Sequence, residues 1–176
     1  IERAARLVRE MQLPDGSWSG AWGVHYIYGT MFGVRGLLAA GTPPTDPSIR
    51  KACTWLKGYQ RPDGSWGERH VAHPTGYVEH EEGQVIQTAW AMTTLLEAQD
   101  PEWDVIERAA RFLAQKQLGS GEWPRQSPQG IFFHTALLEY ALYKSYFPVW
   151  ALGLYESRRR ARLEILSEAT GIVAAE

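Results

Sequence analysis

The chain has 176 residues, with 18 basic against 20 acidic side chains and a formal net charge of −2. This length corresponds to about one domain, and the balanced charge disfavours a nucleic-acid-binding protein, which usually carries a basic surplus. Apolar residues make up 44% of the chain, a globular composition that excludes a disordered or collagen-like protein. The sequence also holds 8 Trp, 8 Tyr and 5 Phe, which indicates either a large aromatic core or an aromatic cavity.

Three copies of one sequence unit divide the chain, at residues 5–18, 52–66 and 110–123. Each copy reads as an amphipathic helix that ends in a turn, and a more apolar helix follows it, predicted over 24–40, 84–98 and 131–144. A further helix is predicted over 147–167. A constant spacing of six residues from glutamine to tryptophan in every unit, with connections of variable length between units, is typical of stacked helical repeats. We therefore predict an all-α fold of helix pairs, in which polar-faced helices pack outside apolar ones.

Two helix starts are marked by an acidic residue followed by proline. Asp46 precedes Pro47, and Asp100 precedes Pro101. A carboxylate before a proline in the first helical turn is a favourable N-cap, so we expect both aspartates to cap the helices that follow. The single cysteine, Cys53, excludes an internal disulfide and a multi-cysteine zinc site, and we expect it to pack as a small apolar residue.

Each repeat ends with the same three side chains: a glutamine, a glycine four residues later and a tryptophan six residues after the glutamine. The nine residues are Gln12, Gly16, Trp18, Gln60, Gly64, Trp66, Gln117, Gly121 and Trp123. Because the last carbonyls of a helix lack partners, we expect the glutamine amide to donate to them and its oxygen to accept from a neighbouring helix. The tryptophan packs beside it and donates its indole N–H. We predict a structural role for these residues.

Further motifs extend the pattern, among them Trp22-Gly23-Val24 and Pro148-Val149-Trp150. Together with the repeats they resemble the C-terminal part of triterpene cyclases, a family that carries QW repeats and comprises oxidosqualene cyclases and squalene-hopene cyclases. The resemblance covers about residues 5–158. It implies an α/α toroid, of which this chain forms roughly half a barrel. Residues 1–168 are accordingly assigned to the catalytic barrel domain, and residues 169–176 to a C-terminal tail.

Two branches of this family remain open. The segment from Trp22 to Thr30 and the segment from Gln87 to Trp90 resemble squalene-hopene cyclases. By contrast, the segments 122–126 and 147–153 resemble the sterol-forming branch, which contains lanosterol and cycloartenol synthases. We expect an oxidosqualene cyclase, with a squalene-hopene cyclase as the alternative.

The resemblance implies that the full-length protein cyclises 2,3-oxidosqualene to a sterol-type tetracycle, through a carbocation cascade that an acid starts. Aromatic faces attract a cation within ~6 Å without capturing it as a nucleophile does. By resemblance, four aromatic side chains face the cavity and stabilise cations: Trp22, Tyr28, Phe132 and Tyr140. His25 and Tyr143 are candidates for product control. Phe132, Tyr140 and Tyr143 also share one face of the helix predicted over 131–144. The resemblance implies no cofactor and no metal ion.

The acid that would start this cascade is absent from the sequence. None of the five aspartates lies in a family acid motif, Asp-Xaa-Asp-Asp or Asp-Cys-Thr-Ala-Glu. We expect that motif in a missing N-terminal part of the same protein, and we predict that the chain alone is inactive. The segment 70–82 carries histidines and glutamates that suit a metal by residue type, but their irregular spacing favours a solvated connection.

The implied partners are 2,3-oxidosqualene or squalene, the missing N-terminal part and a membrane surface. By resemblance, the full-length protein is monotopic, lies on the cytoplasmic side and contacts the membrane through its other domain. This chain lacks the run of ~20 apolar residues that a spanning helix needs, so we expect a soluble fragment. The arginines at 158–160 and 162 suit the end of a helix or anionic lipid. A non-catalytic helical interaction module remains an alternative.

Overall fold

A computed structural model of the chain describes residues 1–132 and 135–170, except for the side chains of 169 and 170. Within these residues the order of elements is α1 (Glu2–Glu10), α2 (His25–Ala39), α3 (Pro47–Gly58), α4 (Val85–Glu97), α5 (Trp103–Lys116), β1 (Gly130–Phe132), β2 (Ala136–Leu138) and α6 (Tyr143–Thr170). β1 and β2 form a small antiparallel hairpin in which Ile131 lies opposite Leu137. The predicted all-α class is confirmed, because helices build the rest of the described fold.

The helices form two layers, as the polarity of the repeats predicts. α2 and α4 are buried on most of their faces, whereas α1, α3 and α5 are amphipathic and bury one side. α4 lies at the centre and packs against α2, α5 and α6. Its residue Trp90 is among the largest fully buried side chains, together with Trp66 at the end of the second repeat. The core therefore lies between the inner pair and the outer helices.

One of the two predicted caps is confirmed and the other is wrong. The Asp46 side chain accepts from the Ser48 N–H at 2.9 Å and caps α3. Asp100 does not cap α5, which begins at Trp103. Its carboxylate is buried and lies 3.2 Å from the Lys57 ammonium and 3.5 Å from the Arg50 guanidinium. The two cations of α3 balance the buried charge. Asp100 also accepts from the Glu102 N–H at 3.0 Å, directly before the first residue of α5.

The helix predicted over 131–144 is wrong. Residues 130–132 instead pair with β2, and residues 129–131 pair with the loop before α2. The Ile131 N–H donates to the Trp22 oxygen, and the Val24 N–H donates to the Gln129 oxygen, each at 3.0 Å. These pairings satisfy backbone groups that a helix would otherwise use. Phe132 and Tyr140 therefore do not share a helix face. Helix α6 begins at Tyr143, earlier than predicted, and continues through Pro148.

Cys53, the C-terminal end of α6 and the lengths of the helices bear on three further expectations. Cys53 is fully buried in α3, which confirms that it packs as an apolar residue, and burial raises the pKa of its thiol to about 12. Residues 169 and 170 of the predicted tail continue α6, and 171–176 lie outside the described residues. No helix of the described part is both long and apolar enough to cross a bilayer.

Candidate functional site

The three Gln–Trp turns, one at the end of each repeat, share one hydrogen bond. In each turn the indole N–H of tryptophan donates to a backbone carbonyl ten residues earlier, in the preceding outer helix. The bonds run from Trp18 to Val8 at 2.7 Å, from Trp66 to Leu56 at 2.8 Å and from Trp123 to Leu113 at 2.8 Å. All three tryptophans are buried, so each indole fastens its turn to the end of its own helix.

The glutamines make a second contact, to a different acceptor from the one expected. Gln12 donates to Gly16 O at 2.9 Å and to Ser48 O at 2.8 Å, near the start of α3. Gln60 likewise donates to Gly64 O at 3.0 Å and to Val105 O at 2.8 Å, near the start of α5. The acceptors are thus a turn carbonyl and the next outer helix, rather than the end of the same helix. The Gln60 oxygen accepts from the guanidinium of Arg108 and not from a backbone N–H.

We name one group of aromatic side chains the aromatic wall. It draws on α2, α4, the start of α6, the loop before α2 and the chain around the hairpin. Its members are Trp22, Tyr28, Phe32, Trp90, Phe132, Tyr140, Tyr143 and Phe147. Each has a ring partner within the wall. The wall contains all four predicted cavity residues, together with Tyr143.

The ring contacts fall into two groups. In the first, the centroids of Trp22 and Phe132 lie 5.9 Å apart. In the second, Trp90 contacts Tyr28 at 5.2 Å and Tyr143 at 6.0 Å, and Tyr143 stacks on Tyr140 at 4.7 Å. Tilted and offset rings at these separations attract one another. The buried Trp90 therefore joins the aromatic residues of α2 to those of α6.

Backbone pairing connects the two ring groups. Gly23 and Gly130 form an antiparallel bridge, and a ring lies against each of them. A Cβ on Gly23 would come within 2.4 Å of the Tyr28 ring, and one on Gly130 would come within 2.3 Å of the Tyr140 ring. Both positions thus require glycine for reasons of space. The bridge brings Trp22, which directly precedes Gly23, and Phe132, two residues after Gly130, to the same end of the wall.

One side of the wall is open. Trp22 is 54% exposed, Phe132 40% and Tyr140 41%, although neighbouring Trp90 is fully buried. Beside Trp22, a groove of about 340 Å³ runs between α1 and α2, with Met11 on one side and Tyr28 and Phe32 on the other. Exposed apolar patches of this kind mark places where a ligand or another part of a protein binds.

The phenols of Tyr28 and Tyr143 remain neutral near neutral pH. Burial raises the pKa of Tyr28, and the neighbouring Tyr140 raises it further. Burial also raises the pKa of Tyr143 to about 12, with smaller contributions from Tyr146, Tyr28 and Tyr140. Neutral phenols offer a cation their ring faces without a phenolate that would capture it.

His25, the candidate for product control, lies away from the open side of the wall. Its side chain is buried, and its Nε2 is 3.1 Å from Nδ1 of His70, with the two rings stacked at 5.1 Å. The Val71 N–H also points to His25 Nε2 at 3.4 Å. The structure therefore places His25 against the connection that follows the second repeat.

The connection over 70–82 is solvent-accessible, as the sequence predicts, because each of its residues is exposed or partly exposed. Several of its charged residues are exposed and paired, such as Glu79 with Arg61 and Glu81 with Arg69. Glu68, however, is 1% exposed and accepts backbone hydrogen bonds at the start of α2. Sequence reasoning missed this residue. The available signal was that α2 begins without a capping residue of its own. Among the described residues, no three His, Cys, Asp or Glu side chains form a group suited to a metal ion.

Comparisons with known proteins agree with this architecture. The chain is 44% identical to a cycloartenol synthase of Dictyostelium discoideum over 156 residues, and 40% identical to a lanosterol synthase of Saccharomyces cerevisiae over 157 residues. Each match covers 88% of this chain and 22% of the relative. A solved type II terpene cyclase from Scytonema, MstE, has a TM-score of 0.59 and 25% identity, over 77% of this chain and 37% of that one.

The chain thus spans about a fifth of the length of the curated relatives. The sequence profile of the squalene-hopene cyclase C-terminal domain matches residues 1–157, which is most of the chain. This protein belongs to the triterpene cyclase family and corresponds to its squalene-hopene cyclase C-terminal domain.

Proposed function

We propose that the intact protein cyclises 2,3-oxidosqualene to a sterol-type tetracycle and that this chain supplies one wall of the reaction cavity. The observation that carries the proposal is the open aromatic wall, in which Trp22, Phe132 and Tyr140 stay about half exposed over a buried Trp90. An exposed aromatic surface of this size is unusual unless a ligand or another part of the protein covers it. Similarity to lanosterol and cycloartenol synthases supports the choice of substrate.

The reaction explains why aromatic residues suit this position. A proton added to the epoxide oxygen breaks a C–O bond and leaves a carbocation, which the double bonds of the polyene attack in turn. Loss of a proton at the end restores neutrality. Each cationic intermediate needs stabilisation without a nucleophile, and a desolvated aromatic face contributes about 2 kcal/mol or more. The neutral phenols of Tyr28 and Tyr143 meet that requirement.

The proton itself must come from the rest of the protein. All five aspartates of this chain have structural partners. Asp15 and Asp63 accept from serines in their turns, Asp46 caps α3, Asp100 pairs with Lys57, and Asp104 pairs with Arg108. We infer that the acid lies in the missing N-terminal part, which also carries the membrane contact, and that the chain alone makes no cyclic product.

A chimera tests this function. The matching region of the S. cerevisiae lanosterol synthase is replaced by this chain, and the purified chimera is incubated separately with 2,3-oxidosqualene and with squalene. Gas chromatography with mass spectrometry then identifies the products. We expect a tetracyclic sterol from 2,3-oxidosqualene and no cyclic product from squalene, or from this chain incubated alone.

Each alternative has its own outcome. Pentacyclic products from squalene would favour the squalene-hopene branch. A folded chimera that converts neither substrate would overturn the proposed function and favour a non-catalytic module. Cyclic product formed by the chain alone would contradict the assignment of the acid to the missing part.

A further inference from the structure

Helix α2, which carries Tyr28 and Phe32 of the aromatic wall, begins without a cap of its own. Val24 occupies the N-cap position and provides no capping side chain, and the first turn contains no acidic residue. The first N–H groups of a helix have no partner within the helix. Because the start of α2 is buried, these donors need an acceptor from elsewhere in the fold.

Glu68 supplies that acceptor from 42 residues away. Its Oε1 and Oε2 accept from the Tyr26 N–H at 2.9 and 3.0 Å, and Oε2 also accepts from the Ile27 N–H at 3.0 Å. The side chain is almost completely buried. A carboxylate at a helix N-terminus also interacts favourably with the helix dipole. Both oxygens of Glu68 are thus committed to the first turn of α2.

The backbone of Glu68 is fixed just as firmly, and to the other inner helix. Its N–H donates to Oε1 of Gln84 at 2.9 Å, and Gln84 is the N-cap residue of α4. Glu68 also pairs with Glu79 across an antiparallel bridge. The next residue but one, His70, contacts His25 at the start of α2. Glu68 therefore joins the beginnings of α2 and α4, the two helices whose aromatic residues meet in the wall.

We propose that Glu68 is a positioning residue for the aromatic wall: it fixes the start of α2 relative to α4 and thereby sets the contact between Tyr28 and Trp90. Where this inference concerns catalysis, it rests on the proposed function. Glu68 acts through the backbone of Tyr26 and Ile27, within one helical turn of Tyr28.

The proposal is tested first in the 176-residue chain by NMR. Glu68→Gln keeps the size of the side chain but turns an NH₂ group towards the N–H donors of Tyr26 and Ile27. We expect the hydrogen-exchange protection of these two amides to fall by about tenfold, the usual size of a lost cap. We also expect the nuclear Overhauser contacts between the Tyr28 and Trp90 rings to weaken. Glu79→Gln, at the paired but exposed position, leaves both unchanged.

The second test uses the chimera and a readout that stability alone does not change. If Glu68 positions the wall, Glu68→Gln lowers kcat per folded enzyme about tenfold and alters the ratio of products, with a smaller change in KM. Glu68→Asp, which keeps the charge, restores part of both. A purely structural residue would instead reduce the amount of folded enzyme and leave the product ratio unchanged.

The outcomes separate the inference from the proposed function. Loss of amide protection with unchanged ring contacts or an unchanged product ratio would overturn the positioning role. If the parent chimera is inactive, the proposed function fails, and the ring contacts in the chain alone decide whether Glu68 sets the geometry of the wall.

Discussion

The second and third Gln–Trp turns have the same inner contacts and different surroundings. Trp66 and Trp123 each donate to a carbonyl ten residues earlier at 2.8 Å. Outside the turn, Gln60 reaches the start of α5, whereas Gln117 donates only to its own turn, at Gly121 O, within the described residues. The indole bond therefore lies within one repeat. The second glutamine bond joins a repeat to the next outer helix, and we call this junction the seam between units. Each seam should stabilise the fold only where the next outer helix is present.

The largest expected difference concerns the glycines of these turns. Gly64 and Gly121 both have φ of +86°, but a Cβ on Gly64 would lie 2.5 Å from Arg108 O, whereas Gly121 has open space around it. Gly64→Ala should lower the free energy of unfolding by about 4 kcal/mol, and Gly121→Ala by about 1 kcal/mol. Urea unfolding of the chain measures both. Equal losses of stability for the two variants would show that Gly64 does not pack closely against Arg108 of α5.

Glu68, two residues after the second repeat, gives the stability of the fold a pH dependence. Burial raises the pKa of Glu68 from 4.5 to about 7, against the opposing effect of its backbone donors. Between these values the folded carboxyl holds a proton that the unfolded chain has released. The free energy of unfolding therefore falls as pH rises across this window, by up to about 3 kcal/mol.

Glu68→Gln should remove this slope, since an amide does not titrate. The titratable groups that face Glu68 from the neighbouring elements, His25, His70, Tyr26 and Tyr77, are present in both proteins and cancel in the difference. Urea unfolding between pH 4.5 and 8 provides the comparison. Parallel stability curves for the two proteins would contradict the assignment.

A smaller effect separates the glutamines. Gln60→Ala removes two hydrogen bonds to backbone carbonyls and the contact with Arg108. We expect it to cost about 2 kcal/mol of stability, against about 0.5 kcal/mol for Gln117→Ala at an exposed position. The same urea experiment applies. A larger loss of stability for Gln117→Ala than for Gln60→Ala would contradict the view that the glutamine stabilises the fold mainly through the next outer helix.

The smallest expected difference lies between the tryptophans. Replacing either Trp66 or Trp123 with Phe removes an indole donor and leaves a buried carbonyl unpaired, at a cost of about 2 kcal/mol in each case. Because their bonds have the same length, the two losses should agree within about 0.5 kcal/mol. A much smaller loss for Trp123→Phe would show that the inner bond also depends on the seam.

Local patterns predicted what local forces decide. The apolar helix expected over 24–40 is observed as His25–Ala39, and the one expected over 84–98 as Val85–Glu97, because burial follows the periodicity of the sequence. The helix predicted over 131–144 is wrong because Ile131 pairs with Trp22, more than 100 residues earlier. The cap predicted at Asp100 is wrong because α5 begins only at Trp103, and the Asp100 carboxylate pairs with Lys57 and Arg50 of α3. Such distant partners leave no signal in a short window.

The site shows the same division. Resemblance to the family supplied Trp22, Tyr28, Phe132 and Tyr140, and the structure brings them into one wall. Phe32 was missed although it lies one helical turn after Tyr28 and contacts it at 4.9 Å, a spacing the sequence already offers. Glu68 was missed because its donors belong to another repeat.

The most direct test of the central claim, that the open aromatic rings stabilise carbocations, is the product composition of the chimera with 2,3-oxidosqualene after Phe132→Leu. The control is Tyr59→Leu, an aromatic residue 39% exposed outside the wall, compared with 40% for Phe132. We predict that Phe132→Leu yields prematurely terminated or rearranged cyclic products, while Tyr59→Leu gives the parental sterol. The same product composition from both variants would contradict the account.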